Sequence, residues 1–310
     1  MVAWVQPSLT TNRIVTTTLL GTAQVATFLR LAIRIRSKRL WLDDAWAILA
    51  LLFSYALLIN MWMRTDLTNS RSQRIIAYWI VNITFTCTLW ASRMSVIFSI
   101  IRIIPHSLTL RRITSYLAVL FGLMWTGLLV KKVHLCASDR SWYHLPQPQC
   151  HLGRVVGIME LATDSVADLG LAIVPMELLR RAPTIVGSQR MLVLIIFGAN
   201  LLTAIVSVVH AVYLLGPAGL LEAISAQAEA AVALLISSAG VIVPPIYRLC
   251  RNQTPTYPEA STVLSDDVVL NRVGVVFRHP DQSTTSVETM KQDSATKKPD
   301  SATMNPDSAT

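Results

Sequence analysis

An all-α integral membrane protein is the fold class this sequence predicts: a bundle of seven transmembrane helices followed by a disordered C-terminal tail. The first reason is composition. Of 310 residues, 53% are hydrophobic and only 15% are charged, with a mean hydropathy of +0.49, and a soluble chain of this length needs more charge on its surface. The second is that apolar residues come in several runs of about 20, the length of helix that crosses the hydrocarbon core of a bilayer. The third is that these runs lack the strict alternation of barrel strands. In hydrocarbon only helices and closed barrels satisfy every backbone group, so helices remain.

Met1 to Asn12 carries neither a basic stretch nor an apolar core, so the first span, not a cleaved signal, is expected to target the chain. Spans are expected at Ile14 to Ile35, Ala45 to Met63, Ile75 to Ile100, Ile113 to Val130, Val155 to Leu178, Met191 to Leu215 and Ala223 to Tyr247. The first is threonine-rich and holds Arg30, and the fifth holds Glu160, Asp164 and Asp168. Dropping either one alone would place both termini on the same side. The domain reading is a short extracellular N-terminus at 1–13, a membrane domain at 14–247 and a cytoplasmic tail at 248–310.

Loop charge supports an outside N-terminus. That orientation puts Arg34, Arg36, Lys38, Arg39, Arg102, Arg111, Arg112, Arg180, Arg181, Arg190, Arg248 and Arg251 on the cytoplasmic side. The outside set is shorter: Arg13, Arg64, Arg71, Arg74, Lys131, Lys132, Arg140 and Arg154. Basic residues favour the cytoplasmic flanks of membrane helices, and the net charge of +9 resides in these flanks. A nucleic-acid partner would need the charge on one continuous soluble face, so the bilayer is the expected partner and nucleic acid is not.

From Asn252 onward, Ser, Thr, Asp, Pro and Lys replace large apolar residues, and such a segment buries too little surface to offset its ordering entropy. Asp-Ser-Ala-Thr recurs there at Asp293, Asp300 and Asp307, a seven-residue period without the apolar pair of a coiled coil. Asn252-Gln-Thr254 is a glycosylation sequon that a cytoplasmic tail leaves unmodified, and Asn82-Ile-Thr84 is a sequon expected inside the third span. Cys87 reads as a small buried hydrophobe and Cys250 as a juxtamembrane thiol. Cys136 and Cys150 bracket the outside loop between spans four and five, and a disulfide between them is expected. Trp142, Pro146 and Pro148 between the two cysteines suggest a compact lid.

Cys136, Trp142 and Cys150, followed by Asp164, Asp168 and Pro175, resemble the fungal rhodopsin-domain family, also called SAT4-type or Pth11-like membrane proteins. The basic end of span one leading into Leu42-Asp43-Asp44, and the run from Trp90 to Arg102, are similar to further landmarks of that family. The resemblance covers Leu29 to Arg248. It departs at Arg93, where the family commonly has lysine, and at Val243-Pro244-Pro245-Ile246-Tyr247, where a Leu-Pro-x-Leu-Arg ending is usual. It implies a seven-helix bundle and a receptor-like role. An association of some relatives with biosynthetic gene clusters implies the alternative, a transport or accessory component of secondary metabolism.

No retinal cofactor is expected, because a retinylidene Schiff base needs a lysine near the middle of the last span. The six lysines, Lys38, Lys131, Lys132, Lys291, Lys297 and Lys298, fall in loops, membrane flanks or the tail. Ionisable groups inside a membrane are costly and mark candidate sites. Glu160, Asp164 and Asp168 recur every four residues on one helical face, with His210 and Glu229 at a depth similar to Glu160. These five are expected to line a ligand pocket that opens outward beneath the lid, or alternatively to serve as interhelical hydrogen-bonding glue.

Arg93 is expected to snorkel to the headgroups or to pair with Asp168, and Arg30 to sit near the inner end of span one without a role. Asp43 and Asp44 are expected to cap span two, and Pro175, Pro244 and Pro245 to kink or end spans five and seven. Pro244 and Tyr247 resemble the end of helix seven in G-protein-coupled receptors, which makes a G protein a candidate partner. The preceding Asn and the acidic-Arg-Tyr run of helix three are missing from that match. No catalytic triad, phosphate loop, zinc motif or Cys-x-x-Cys pair occurs, so no catalytic or metal residue is assigned.

Overall fold

In the computed structural model the chain is described over residues 7–38, 40–104, 109–145, 148–150, 152–181, 187–215 and 219–250, with side-chain surroundings left aside at 178–179, 181–196 and 244–250. The expected tail, its repeats and the Asn252 sequon lie outside the described residues. So do Pro146 of the lid and the side chains of Pro244, Tyr247 and Cys250.

Seven α-helices account for almost all of the described chain: α1 (Leu9–Arg36), α2 (Leu42–Thr65), α3 (Arg71–Ile103), α4 (Thr109–Ser138), α5 (Gly153–Arg181), α6 (Gly187–Leu215) and α7 (Leu220–Cys250). One turn of 3-10 helix, Ser141–His144, lies between α4 and α5, and no strand occurs among the described residues. Local chemistry starts the first three helices. Ser8 Oγ accepts the Thr11 N–H at 3.0 Å, and Asp44 Oδ2 accepts the Trp41 N–H at 3.2 Å to start α2. At α3 the Gln73 side chain accepts the Ser70 N–H at 2.9 Å while Ser70 Oγ accepts the Gln73 N–H at 3.4 Å. Arg34 and Arg36 occupy the last turn of α1, where cations suit the negative end of the helix dipole.

Each helix extends a few residues past the expected apolar run, because polar flanks continue the backbone hydrogen bonding into the headgroup region. The prolines do not end helices. Pro175 lies inside α5, and α7 continues through Pro244 and Pro245 to Cys250.

The bundle buries charged side chains among an apolar core and turns large apolar side chains outward, unlike a water-soluble protein. Arg30, Asp43, Asp44, Arg93, Lys132 and Glu229 are buried, whereas Tyr116 is 74% and Val25 70% exposed. Along α4 and α6, Val119, Leu123, Phe197, Leu201, Ile205 and Val212 also face outward. Such continuous apolar faces require a nonpolar solvent. Six of the helices, all but α5, are long and apolar enough to cross a membrane, so the chain is a multi-pass membrane protein in contact with the lipid bilayer.

α3 is the central helix: 72% of its membrane-length segment is buried, against 22% for that of α4. On one side it packs with α1, α2 and α7 through Leu20, Leu57, Phe85, Leu89 and Leu234. On the other it meets α4 and α5 through Trp90, Ile97, Phe121, Leu128 and Leu171. In this arrangement α3 receives polar side chains from α2, α4 and α5: Asp43 near Arg102, Lys132 on Thr86, and Asp164 and Asp168 on Arg93.

Candidate functional site

Polar residues gather at three depths in the bundle. At the loop end, the Cys136–Cys150 disulfide ties the last turn of α4 to the segment before α5. Tyr78 Oη of α3 donates to the Cys150 carbonyl at 3.0 Å, and Trp142 Nε1 donates to the Cys136 carbonyl at 3.3 Å. Trp142 packs between Tyr78, tilted against it, and Tyr143, edge-on to it, with ring centroids 4.9 and 4.4 Å away. Aromatic packing and backbone acceptors together hold the loop down as a lid.

Beneath the lid lies a cavity of about 60 Å³. Gln149, next to Cys150, spans its mouth: its Oε1 accepts from Arg64 Nη2 of α2 at 3.0 Å, and its Nε2 donates to Glu222 Oε2 of α7 at 3.1 Å. The Arg64 guanidinium also lies 4.9 Å from the centroid of the Tyr78 ring. Deeper in the cavity, Lys132 of α4 pairs with Glu160 of α5 and donates to Thr86 Oγ1 at 2.9 Å. Its ammonium also sits 5.1 Å from the Phe85 ring centroid. His210 of α6 packs its ring 5.5 Å from that of Phe85. His210 Nδ1 contacts Ser225 Oγ at 3.0 Å, and Ser225 Oγ donates its hydrogen to the Glu222 carbonyl at 2.9 Å. Asn82 Nδ2 and Gln227 Oε1 also line the cavity, and both are buried without a hydrogen-bond partner among the described residues.

The second layer lies deeper. Arg93 of α3 is 4% exposed and forks between Asp164 and Asp168 of α5, with Nη2 3.3 Å from Asp168 Oδ1. Glu229 of α7 accepts from Ser207 Oγ of α6 at 2.5 Å. Asp168 Oδ2 and Glu229 Oε2 have no hydrogen-bond partner among the described residues.

The third layer lies at the opposite end. Arg30, fully buried, donates to Asp43 Oδ2 at 2.8 Å, to Asp44 Oδ1 at 3.2 Å and to the Ser237 carbonyl of α7 at 2.5 Å. Arg34 and Arg102 reach the same Asp43 carboxylate at 3.4 and 3.5 Å. This layer joins α1, α2, α3 and α7.

The structure redistributes the five expected pocket residues. Glu160 and His210 line the cavity; Asp164, Asp168 and Glu229 do not, and belong to the layer beneath it. A spacing of four residues on a helix covers about 6 Å of depth per step, so one face of α5 passes through two layers. Arg93 does not snorkel, because two carboxylates on the facing helix offer it bidentate partners inside the bundle. Lys132, expected at a membrane flank, is 2% exposed and turned inward by Glu160 and Thr86. Arg30 holds three helices together. Arg64, Gln149 and Glu222 were not anticipated at the site; their only sequence signal was that each ends or precedes a span on the same expected side.

A membrane bundle with a lidded, polar cavity at one end and buried ion pairs below it defines a class, the multi-pass helical membrane protein. Residues 29–237 match the family model of the fungal rhodopsin domain, and the chain belongs to that family. No curated protein and no solved structure is significantly similar to it.

Proposed function

We propose that this protein is a seven-span receptor of the SAT4-type, Pth11-like kind, which takes a small extracellular molecule into the cavity beneath the disulfide-tied lid. The observation that supports this reading is the placement of the cavity at the bundle end closed by that lid, among side chains from α2 to α7. A ligand there touches the helices whose opposite ends face the cytoplasm, where a G protein is the proposed partner. The seventh span is α5. Its 29 residues extend about 44 Å, enough for any bilayer, and its three acids find cationic partners in Lys132 and Arg93 within the bundle. Seven spans put residues 1–13 outside and 248–310 inside.

Retinal has no part in this reading, because the cavity of about 60 Å³ is far below the ~300–1,000 Å³ of sites for larger ligands. The test is cytosolic cAMP in a deletion strain and its parent under a panel of extracellular cues. At least one cue is expected to change cAMP in the parent alone. Equal responses to every cue, with a metabolite retained inside the deletion cells, would overturn the receptor reading in favour of the transport role.

A further inference from the structure

The geometry points to a small polar α-amino acid, in its zwitterionic form, as the ligand of the lidded cavity, with the Gln149 amide standing where its carboxylate and ammonium would bind. This rests on the receptor reading and goes beyond it by naming the ligand's chemistry. Arg64 and Glu222, a cation and an anion at the ends of α2 and α7, do not pair with each other directly: the Gln149 side chain lies between them, its oxygen toward Arg64 and its nitrogen toward Glu222. An amide offers one acceptor and one donor to two charged partners that bond more strongly with charged ones. An α-amino acid presents the same two elements in the same order, a carboxylate for the Arg64 guanidinium and an ammonium for Glu222. A guanidinium can take a carboxylate through two parallel hydrogen bonds, and the Tyr78 ring beneath Arg64 holds it in place.

The space beyond this pair restricts the side chain. About 60 Å³ holds a few water molecules or a few heavy atoms. Asn82 Nδ2 and Gln227 Oε1 face that space unpartnered among the described residues. Asn82 is 8% exposed and Gln227 2%, so an unmade hydrogen bond there is costly. A hydroxyl or amide side chain supplies a donor and an acceptor to both, whereas leucine and phenylalanine supply neither, and phenylalanine is also much the larger. The formal charges at the cavity, Arg64 and Lys132 against Glu160 and Glu222, cancel, which suits a zwitterion and disfavours a free anion or amine.

The test uses the full-length protein in lipid nanodiscs and reads the thermal midpoint against ligand concentration. The panel is serine, asparagine, alanine, leucine, ethanolamine, glycolate and glucose. Serine or asparagine is expected to raise the midpoint in a saturable way, alanine less, and leucine, ethanolamine and glycolate not at all. Gln149→Ala, which removes the internal competitor, is expected to lower the apparent Kd for serine severalfold. Arg64→Gln and Glu222→Gln are expected to raise it by tenfold or more while eluting as monodisperse protein. Equal binding of ethanolamine or glycolate, or weaker serine binding by Gln149→Ala, overturns the zwitterion assignment. Saturable binding of glucose alone overturns it too and leaves the receptor reading standing. No shift with any compound, in wild type and Gln149→Ala alike, overturns the assignment, while the receptor reading stands or falls separately on the cAMP comparison.

Discussion

Arg93 shows what a single side chain decides in this bundle. Its guanidinium is the counter-charge of both Asp164 and Asp168, and removing one partner of a buried ion pair leaves an uncompensated charge that costs about 3–5 kcal/mol. Arg93→Ala is therefore expected to lower the thermal midpoint of the purified protein sharply. Arg93→Lys, which keeps the charge but not the two-pronged geometry, should lose less. Equal midpoints for wild type and Arg93→Ala would mean that the pair carries no stability. A smaller effect belongs to the lid. The Ser141 N–H donates to Asp139 Oδ1 at 2.9 Å, and with the Ser141 hydroxyl it holds the Asp139 carboxyl below the ordinary carboxylate range. A lowered folded-state pKa means stability that is present above the unfolded value of about 3.9 and lost as pH falls through the folded value. The midpoint difference between wild type and Asp139→Asn, measured from pH 6 down to pH 3, should accordingly shrink below about pH 4.

At the scale of the element, α5 is the helix whose sequence and environment disagree most. Three acids lie in its membrane-length stretch, each costing about 2.5–3.5 kcal/mol at the centre of an isolated span. Inside the bundle Lys132 answers Glu160, and Arg93 answers Asp164 and Asp168. In a translocon insertion assay, α5 alone is expected to insert poorly beside α4. Replacing Glu160, Asp164 and Asp168 together by leucine should bring it close to full insertion. Efficient insertion of unaltered α5 would mean that its partners are not needed for it to enter the membrane. The helical existence of α5 was legible from its length and apolar content, and so was the four-residue spacing of its acids. Their separation into two layers was not, because the depth at which α3 and α4 present Arg93 and Lys132 depends on the packing of three helices.

For the whole molecule, the Cys136–Cys150 disulfide closes a short loop of sequence separation 14, for which loop closure contributes about 3 kcal/mol. Replacing both cysteines by serine is expected to lower the thermal midpoint and to free the lid. A sequon placed at Asp139 should acquire a glycan in cells while Asn252 does not, and the reverse pattern would invert the proposed orientation. Helical class, membrane solvent and the pairing of Cys136 with Cys150 were determined by the sequence itself, because hydropathy over about 20 residues and the position of cysteines relative to spans are properties of the chain read in order. Only the tertiary structure decided the rest: that Arg30, Arg93 and Lys132 turn inward, that Glu160 and His210 share a cavity from which Asp164, Asp168 and Glu229 are excluded, and that Gln149 bridges Arg64 and Glu222. In hydrocarbon a charged group must find its partner on another helix, and which helix presents one at the right depth is set by packing rather than by order along the chain.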